Sequence, residues 1–128
     1  MALSGAARRR KGHDFERLMA RALRALWPGA TRGYQRETSQ DKRPDVDNTP
    51  FWIECKRGKR TNIMAALRQA EKDLAASFDA ARHMKFPYRA GAAICKNDRD
   101  EATITMRLAD FIQYVEDQRD DYGRNPYC

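Results

Sequence analysis

The feature that constrains the fold most is a helical segment placed between two apolar, strand-like segments. Residues 51–56 read FWIECK and residues 90–95 read AGAAIC, and both have the composition of buried strands. Between them, residues 61–84 repeat apolar side chains at three- and four-residue steps, which is the period of an amphipathic helix. Two strands joined through a helix usually pair in parallel within one sheet. The sequence therefore predicts an α/β fold.

The flanking segments extend this unit to the order α-β-β-β-α-β-β-α. Asn48-Thr49-Pro50 predicts a turn, so the strands on either side of it form a hairpin. The other predicted elements are a helix at residues 12–29, ended by Pro28-Gly29, strands at 30–37, 44–48 and 102–106, and a terminal helix at 108–118. Together they predict a central mixed sheet of about five strands flanked by helices. We expect residues 1–128 to form one domain, with a basic arm at 1–10 and a loose tail at 119–128.

Positive charge is concentrated in the first half of the chain. The formal net charge is +7, and residues 1–60 hold 15 Lys and Arg against 7 Asp and Glu, whereas residues 61–128 hold 10 against 11. A basic excess on one part of a domain is typical of proteins that bind a polyanion such as nucleic acid. Basic clusters have several other uses, so charge alone leaves nucleic-acid binding and an ordinary high isoelectric point both open.

Several classes of protein are disfavoured by the sequence. No apolar run approaches the length of about 20 residues that a membrane helix needs. The N-terminal segment has no apolar core of a secretory signal. The three cysteines, Cys55, Cys95 and Cys128, form neither a metal-binding pair nor a disulfide framework. We therefore expect a cytoplasmic protein without a membrane partner.

Acidic side chains and a lysine gather at the predicted hairpin. Side chains alternate along a strand, so Glu54 and Lys56 project from the same face, and Asp45 can lie beside them on the neighbouring strand. Two carboxylates suit Mg²⁺, and the backbone carbonyl of Cys55 could add a ligand. Glu16 lies at the edge of the apolar stripe of the first helix and could reach the same site. The alternatives are a solvated hairpin and, for Glu16, an ion pair with an arginine such as Arg9 or Arg24.

The residues of this cluster carry a family resemblance. The sequence RPD, eight residues and then ECK resembles the PD-(D/E)XK nuclease signature, and KGHDFER resembles the opening helix of archaeal-type Holliday junction resolvases. The order of elements over about residues 10–110 is similar to that family as well. The resemblance implies a restriction-endonuclease-like fold and Mg²⁺ as the cofactor, with Mn²⁺ as a substitute.

The resemblance also implies a role for particular residues. Glu16, Asp45 and Glu54 would be the acids of the metal site, together with the Cys55 carbonyl, and Lys56 would be the catalytic amine. Ser39, in the polar loop, would assist catalysis, and Gln69 would be an accessory residue or a plain surface glutamine. Asp47 is a second acid in the strand and could exchange roles with Asp45.

The expected activity is hydrolysis of DNA phosphodiester bonds, most readily on branched DNA such as Holliday junctions. Two symmetric cuts imply a twofold homodimer. Basic residues would bind phosphates without reading bases: Arg8, Arg9, Arg10, Lys11, Arg36, Lys42, Arg43, Arg57, Lys59 and Arg60. Such a compact nuclease would suit a phage or mobile element in a bacterial or archaeal cell. The alternatives are a nuclease that acts on flaps or single strands and a non-catalytic nucleic-acid-binding module.

Overall fold

A computed structural model of the chain describes residues 4–33, 42–77 and 88–122. Its elements are α1 (Gly5–Leu23), β1 (Thr31–Arg32), β2 (Val46–Asp47), β3 (Phe51–Gly58), α2 (Ile63–Ser77), β4 (Ala90–Asn97), β5 (Thr103–Thr105) and α3 (Leu108–Tyr122). The predicted order of helices and strands is confirmed. The fold is α/β, with a mixed five-stranded open sheet and flanking helices.

The strands lie in the sheet in the order in which they occur in the chain. β3 and β4 are parallel along their full length, from the pair Phe51 and Ala90 to the pair Gly58 and Asn97. All other neighbouring strands are antiparallel. α2 is the connection between β3 and β4, so the predicted parallel pairing is confirmed. The first six residues of β4 are buried, as expected for a strand covered on both faces.

The first helix lies earlier in the chain than its apolar stripe predicts. It begins at Gly5, where the hydroxyl of Ser4 accepts a hydrogen bond from the Ala7 N–H at 3.1 Å. Residues 5–10 of the predicted basic arm are therefore the first turns of α1. The helix ends at Leu23, before Pro28. Asp14 lies in the middle of α1 and pairs with Arg17 at 3.1 Å.

The two faces of the sheet pack against different helices. Phe51, Ile53 and Cys55 of β3 lie in one apolar cluster with Phe15 and Ala20 of α1. On the other face, Ala66 and Leu67 of α2 pack against Ala93 and Cys95 of β4. Every second residue of β3 from Phe51 to Cys55 thus shares the face that α1 covers, as the alternation of side chains predicts. This arrangement leaves α1 and α2 on either side of the strand that carries Glu54 and Lys56.

The second helix agrees with its prediction over the described residues, and the third extends beyond its predicted C-terminal end. Asn62 caps α2, because its side-chain oxygen accepts from the Ala65 N–H at 3.0 Å. α2 is described as far as Ser77, and the remaining predicted helical residues, 78–84, lie outside the described residues. α3 continues to Tyr122, so residues 119–122 are helical and are not part of a loose tail. Within the described ranges, no helix combines the length and apolarity needed to span a bilayer.

Candidate active site

Backbone hydrogen bonds fix Asp45 beside β3. Its N–H donates to the Ile53 carbonyl at 2.8 Å, and its own carbonyl accepts from the Gly33 N–H at 2.9 Å. The second contact needs a glycine, because a Cβ at position 33 would lie 1.8 Å from the Pro44 carbonyl oxygen. The carboxylate Oδ2 of Asp45 accepts from the Cys55 N–H at 2.8 Å. Asp45 is therefore held at the edge of β3, next to Cys55.

The turn that joins β2 to β3 makes this register attainable. Asn48 has a φ of 63°, a left-handed conformation that asparagine tolerates better than most residues. The buried hydroxyl of Thr49 accepts from the Phe51 N–H at 3.1 Å and donates to the Phe51 carbonyl at 3.0 Å. The predicted hairpin is confirmed, with Val46 opposite Ile53.

Glu54 and Lys56 project from the same face of β3, as predicted. The Lys56 Nζ lies 3.4 Å from the Glu54 Oε1. The Glu54 side chain is 14% exposed, whereas that of Lys56 is 52% exposed. The carboxylate is thus set into the protein, while the ammonium group stands at its solvent side and can meet an incoming anion.

Glu16 reaches the cluster from α1 and carries an ion pair. The Arg32 Nε donates to the Glu16 Oε2 at 2.8 Å, and both side chains are mostly buried. The partner comes from β1, so neither Arg9 nor Arg24 is the arginine in this pair. Arg24 donates instead to the Ala30 carbonyl at 2.8 Å.

The three acids lie within electrostatic reach of one another. Burial first, and then the charge of Glu16, raise the pKa of Asp45 to about 6, although the hydrogen bond from the Cys55 N–H opposes the rise. Burial and then the charge of Asp45 raise the pKa of Glu54 to about 7. The pKa of Glu16 is also raised, mainly by burial, with Arg32 opposing. Burial first, and then the charges of all three carboxylates, raise the pKa of the Cys55 thiol. The acids therefore surround Cys55, where their mutual repulsion would be relieved by a cation.

The donor set fits a hydrated magnesium ion better than a closed metal cage. In the described residues, no group of three or more His, Cys, Asp or Glu side chains is arranged to hold a metal by itself. Mg²⁺ needs only one or two carboxylates, because it keeps several of its waters. The N–H and C=O of a strand residue point to the same side, so the Cys55 carbonyl faces the Asp45 edge. Asp45, Glu54 and that carbonyl are the residues that could hold Mg²⁺.

Asp47 and Trp52 have partners other than the clustered carboxylates. Asp47 accepts a hydrogen bond from the Tyr88 hydroxyl and lies 3.7 Å from the Arg43 guanidinium. It therefore does not exchange roles with Asp45. Trp52 is 1% exposed and packs edge-on against Tyr88, as expected for a core residue.

A buried acid that the sequence analysis missed lies on α2. Asp73 is 8% exposed, and both of its carboxylate oxygens accept from the Gln69 Nε2, at 2.9 and 3.0 Å. Lys42 donates to the same carboxylate at 3.1 Å. The sequence holds a signal for it, because Ala66, Ala70 and Asp73 are spaced as one helical face and the first two are buried. Gln69 is thus not a plain surface residue.

The predicted phosphate-binding residues fall into two groups. Lys11, Lys42 and Arg43 pair with Asp98, Asp73 and Asp47, respectively. The residues of the second group are exposed, and no ion pair engages them within the described ranges: Arg8, Arg9, Arg10, Arg57, Lys59 and Arg60. The Asp98 N–H donates to the Gly58 carbonyl at 2.8 Å, so its pair with Lys11 brings α1 beside residues 57–60, which form the end of β3 and the turn after it. Ser39 and Arg36 lie outside the described residues.

Comparisons with known proteins give no relative for this chain. No protein-family model matches it, and neither the curated proteins nor the solved structures include a match. The functional interpretation therefore depends on the residues themselves.

Proposed function

We propose that the protein is a metal-dependent endonuclease that hydrolyses phosphodiester bonds in DNA. The observation that carries the proposal is the pair of repelling, mostly buried carboxylates, Asp45 and Glu54, beside the half-exposed ammonium group of Lys56. A protein that only binds DNA gains nothing from buried negative charges next to its phosphate-binding surface. Buried carboxylates cost stability unless a partner neutralises them, and Mg²⁺ is a partner of the right charge and ligand preference.

Each residue of the cluster has a separate task in this proposal. Asp45, Glu54 and the Cys55 carbonyl hold Mg²⁺, which when bound polarises a phosphate and acidifies a water. Lys56 meets a phosphate oxygen or the attacking water, and stabilises the negative charge that develops on the phosphoryl group. Glu16, held by Arg32, reaches the site through water. The predicted role of Ser39 stays a prediction.

The fold and the surface charge are consistent with a DNA substrate. A mixed sheet with Asp45 directly before its second strand and Glu54 on its third is compatible with a restriction-endonuclease-like fold. The first turns of α1 and residues 57–60 at the end of β3 offer adjacent cationic groups for phosphates. We propose branched DNA, such as a four-way junction, as the preferred substrate, and a twofold dimer as the active species. Both rest on the resemblance to junction resolvases.

The proposal is tested by a cleavage panel with labelled DNA. We expect the purified protein to cut a four-way junction with Mg²⁺ or Mn²⁺ and to stop when EDTA is added. Asp45→Asn and Glu54→Gln should bind the junction and leave it intact. Continued cleavage by either variant would overturn the assignment of the site.

The same panel distinguishes the alternatives. Equal cutting of flaps and four-way junctions would refute the junction preference and favour a flap nuclease. Tight DNA binding without cleavage in Mg²⁺ or Mn²⁺ would favour a binding module. A matched control is Glu71→Gln, which removes an α2 carboxylate paired with Arg107, and it should cleave at the wild-type rate.

A further inference from the structure

Asp73 lies where the elements carrying the two metal-site acids meet α2. Lys42 precedes Asp45 by three residues, and the intervening Pro44 is fully buried. The ion pair between Lys42 and Asp73 therefore ties the segment that carries Asp45 to α2. Asp73 is also close enough to Glu54 for its negative charge to raise the pKa of that carboxyl.

Gln69 fixes the orientation of the Asp73 carboxylate. The amide group lies one turn earlier on α2 and donates to both carboxylate oxygens. This leaves the Asp73 carboxylate aligned toward Lys42, at 3.1 Å. The nearly buried carboxylate is fixed in place, so its ion pair with Lys42 limits where the segment that leads into Asp45 can lie.

We propose that Asp73 is a positioning residue for the metal site, acting through Lys42 to set the place of Asp45 relative to Glu54. This inference rests on the proposed function. Asp73 does not itself hold the metal, because Lys42 and Gln69 occupy its carboxylate. Through Lys42, Asp73 holds the 42–45 segment against α2. The strand β3, which pairs with this segment, carries Glu54. Loss of the ion pair lets Asp45 move away from the position in which its carboxylate and that of Glu54 can bind the same ion.

Two variants test the proposal from opposite ends of the ion pair. Asp73→Asn removes the charge with little change of shape, and Lys42→Met removes the cation at a side chain that is 58% exposed. We expect each variant to raise the Mn²⁺ dissociation constant, measured by calorimetry without DNA, by about tenfold, as outer-shell substitutions do. Because both substitutions break the same ion pair, the double variant should lose little more Mn²⁺ affinity than either single variant.

The matched control is Glu71→Gln on the same helix. Glu71 forms an ion pair with Arg107 at 2.9 Å, away from the carboxylate cluster. Glu71→Gln should leave Mn²⁺ affinity unchanged. An effect that came only from losing an ion pair of α2 would instead appear in all variants alike. Lys42→Met also separates positioning from phosphate binding, since loss of a phosphate contact alone would weaken DNA binding and leave Mn²⁺ affinity intact.

The outcomes separate this inference from the proposed function. If the wild type neither binds Mn²⁺ nor cleaves DNA, the proposed function fails. If the wild type does both, and Lys42→Met keeps wild-type Mn²⁺ affinity, the positioning role of Asp73 is refuted while the nuclease stands. Lys42 is mostly exposed, so that variant should remain folded even if Asp73→Asn does not.

Discussion

Replacing Glu54 by glutamine should stabilise the metal-free protein and abolish the DNA cleavage that the protein performs with metal. In the folded chain the pKa of Glu54 is raised from 4.5 to about 7, first by burial and then by the charge of Asp45. A carboxyl group whose pKa is raised by folding destabilises the folded state wherever it is ionised. Glutamine keeps the shape of the side chain and removes the charge.

The size of the gain follows from the pKa difference and depends on pH. Each pKa unit corresponds to roughly 1.4 kcal/mol, so the rise of Glu54 amounts to about 3 kcal/mol when the group is fully ionised. The cost is absent below the unfolded pKa of 4.5 and grows as pH rises through the folded value of about 7. We therefore expect Glu54→Gln to gain about 3 kcal/mol in unfolding free energy at pH 8 and about 1 kcal/mol at pH 5.

Urea unfolding measures this difference directly. The intrinsic fluorescence of buried Trp52 and partly buried Trp27 reports the transition, and the slope with urea should be the same for both proteins. The matched control is Glu71→Gln, because Arg107 lowers the pKa of Glu71 and its loss should bring no gain at pH 8. Added Mg²⁺ should stabilise the wild type at pH 8 and leave Glu54→Gln unchanged. A variant less stable than the wild type at pH 8 would refute the reasoning.

Three further predictions concern catalysis and DNA binding. Lys56→Ala should bind DNA and metal normally and lose turnover by about 10²-fold or more in single-turnover assays; normal turnover would remove the amine from the mechanism. Glu16→Ala should slow cleavage less than Glu54→Ala, because Glu16 is held by Arg32 and acts through water; an equal or larger loss would make it a direct ligand. Replacing Arg57, Lys59 and Arg60 by alanine should weaken DNA binding and flatten its dependence on salt, by about 0.9 in slope for each phosphate that is no longer neutralised; an unchanged slope would show that these residues do not bind the phosphates.

The parts of the fold that could be predicted are those set by local patterns. The alternation along FWIECK gave the two faces of β3, because the side-chain period of a strand is fixed by its backbone. The apolar segments on either side of α2 indicated the parallel pair, because a helical connection carries the chain back to the same end of the sheet. The turn predicted at Asn48 pairs β2 with β3, which brings Asp45 beside β3.

The helix ends could not be predicted from the apolar stripe. α1 begins at Gly5 because the Ser4 cap and the helix-favouring residues of its first turns outweigh their lack of buried apolar side chains. An apolar period reports only the buried part of a helix. The exposed turns at its end depend on capping and intrinsic propensity, and the stripe carries no information about them.

The partners of the site residues depend on contacts between distant parts of the chain. Glu16 lies 16 residues from Arg32, and Lys42 lies 31 residues from Asp73. No local pattern distinguishes Arg32 from the other arginines as the partner of Glu16. Asp73 has a weak local signal, because it falls on the apolar face of α2, where an unpaired acid would be costly.

The most direct test of the central claim is a crystal soaked in Mn²⁺ and measured for anomalous scattering. We expect a single strong peak between the carboxylates of Asp45 and Glu54, within ligand distance of the Cys55 carbonyl oxygen, and no such peak in crystals of Glu54→Gln. A map without a peak between these carboxylates, at a Mn²⁺ concentration and pH that support DNA cleavage in solution, would contradict the assignment of the metal site.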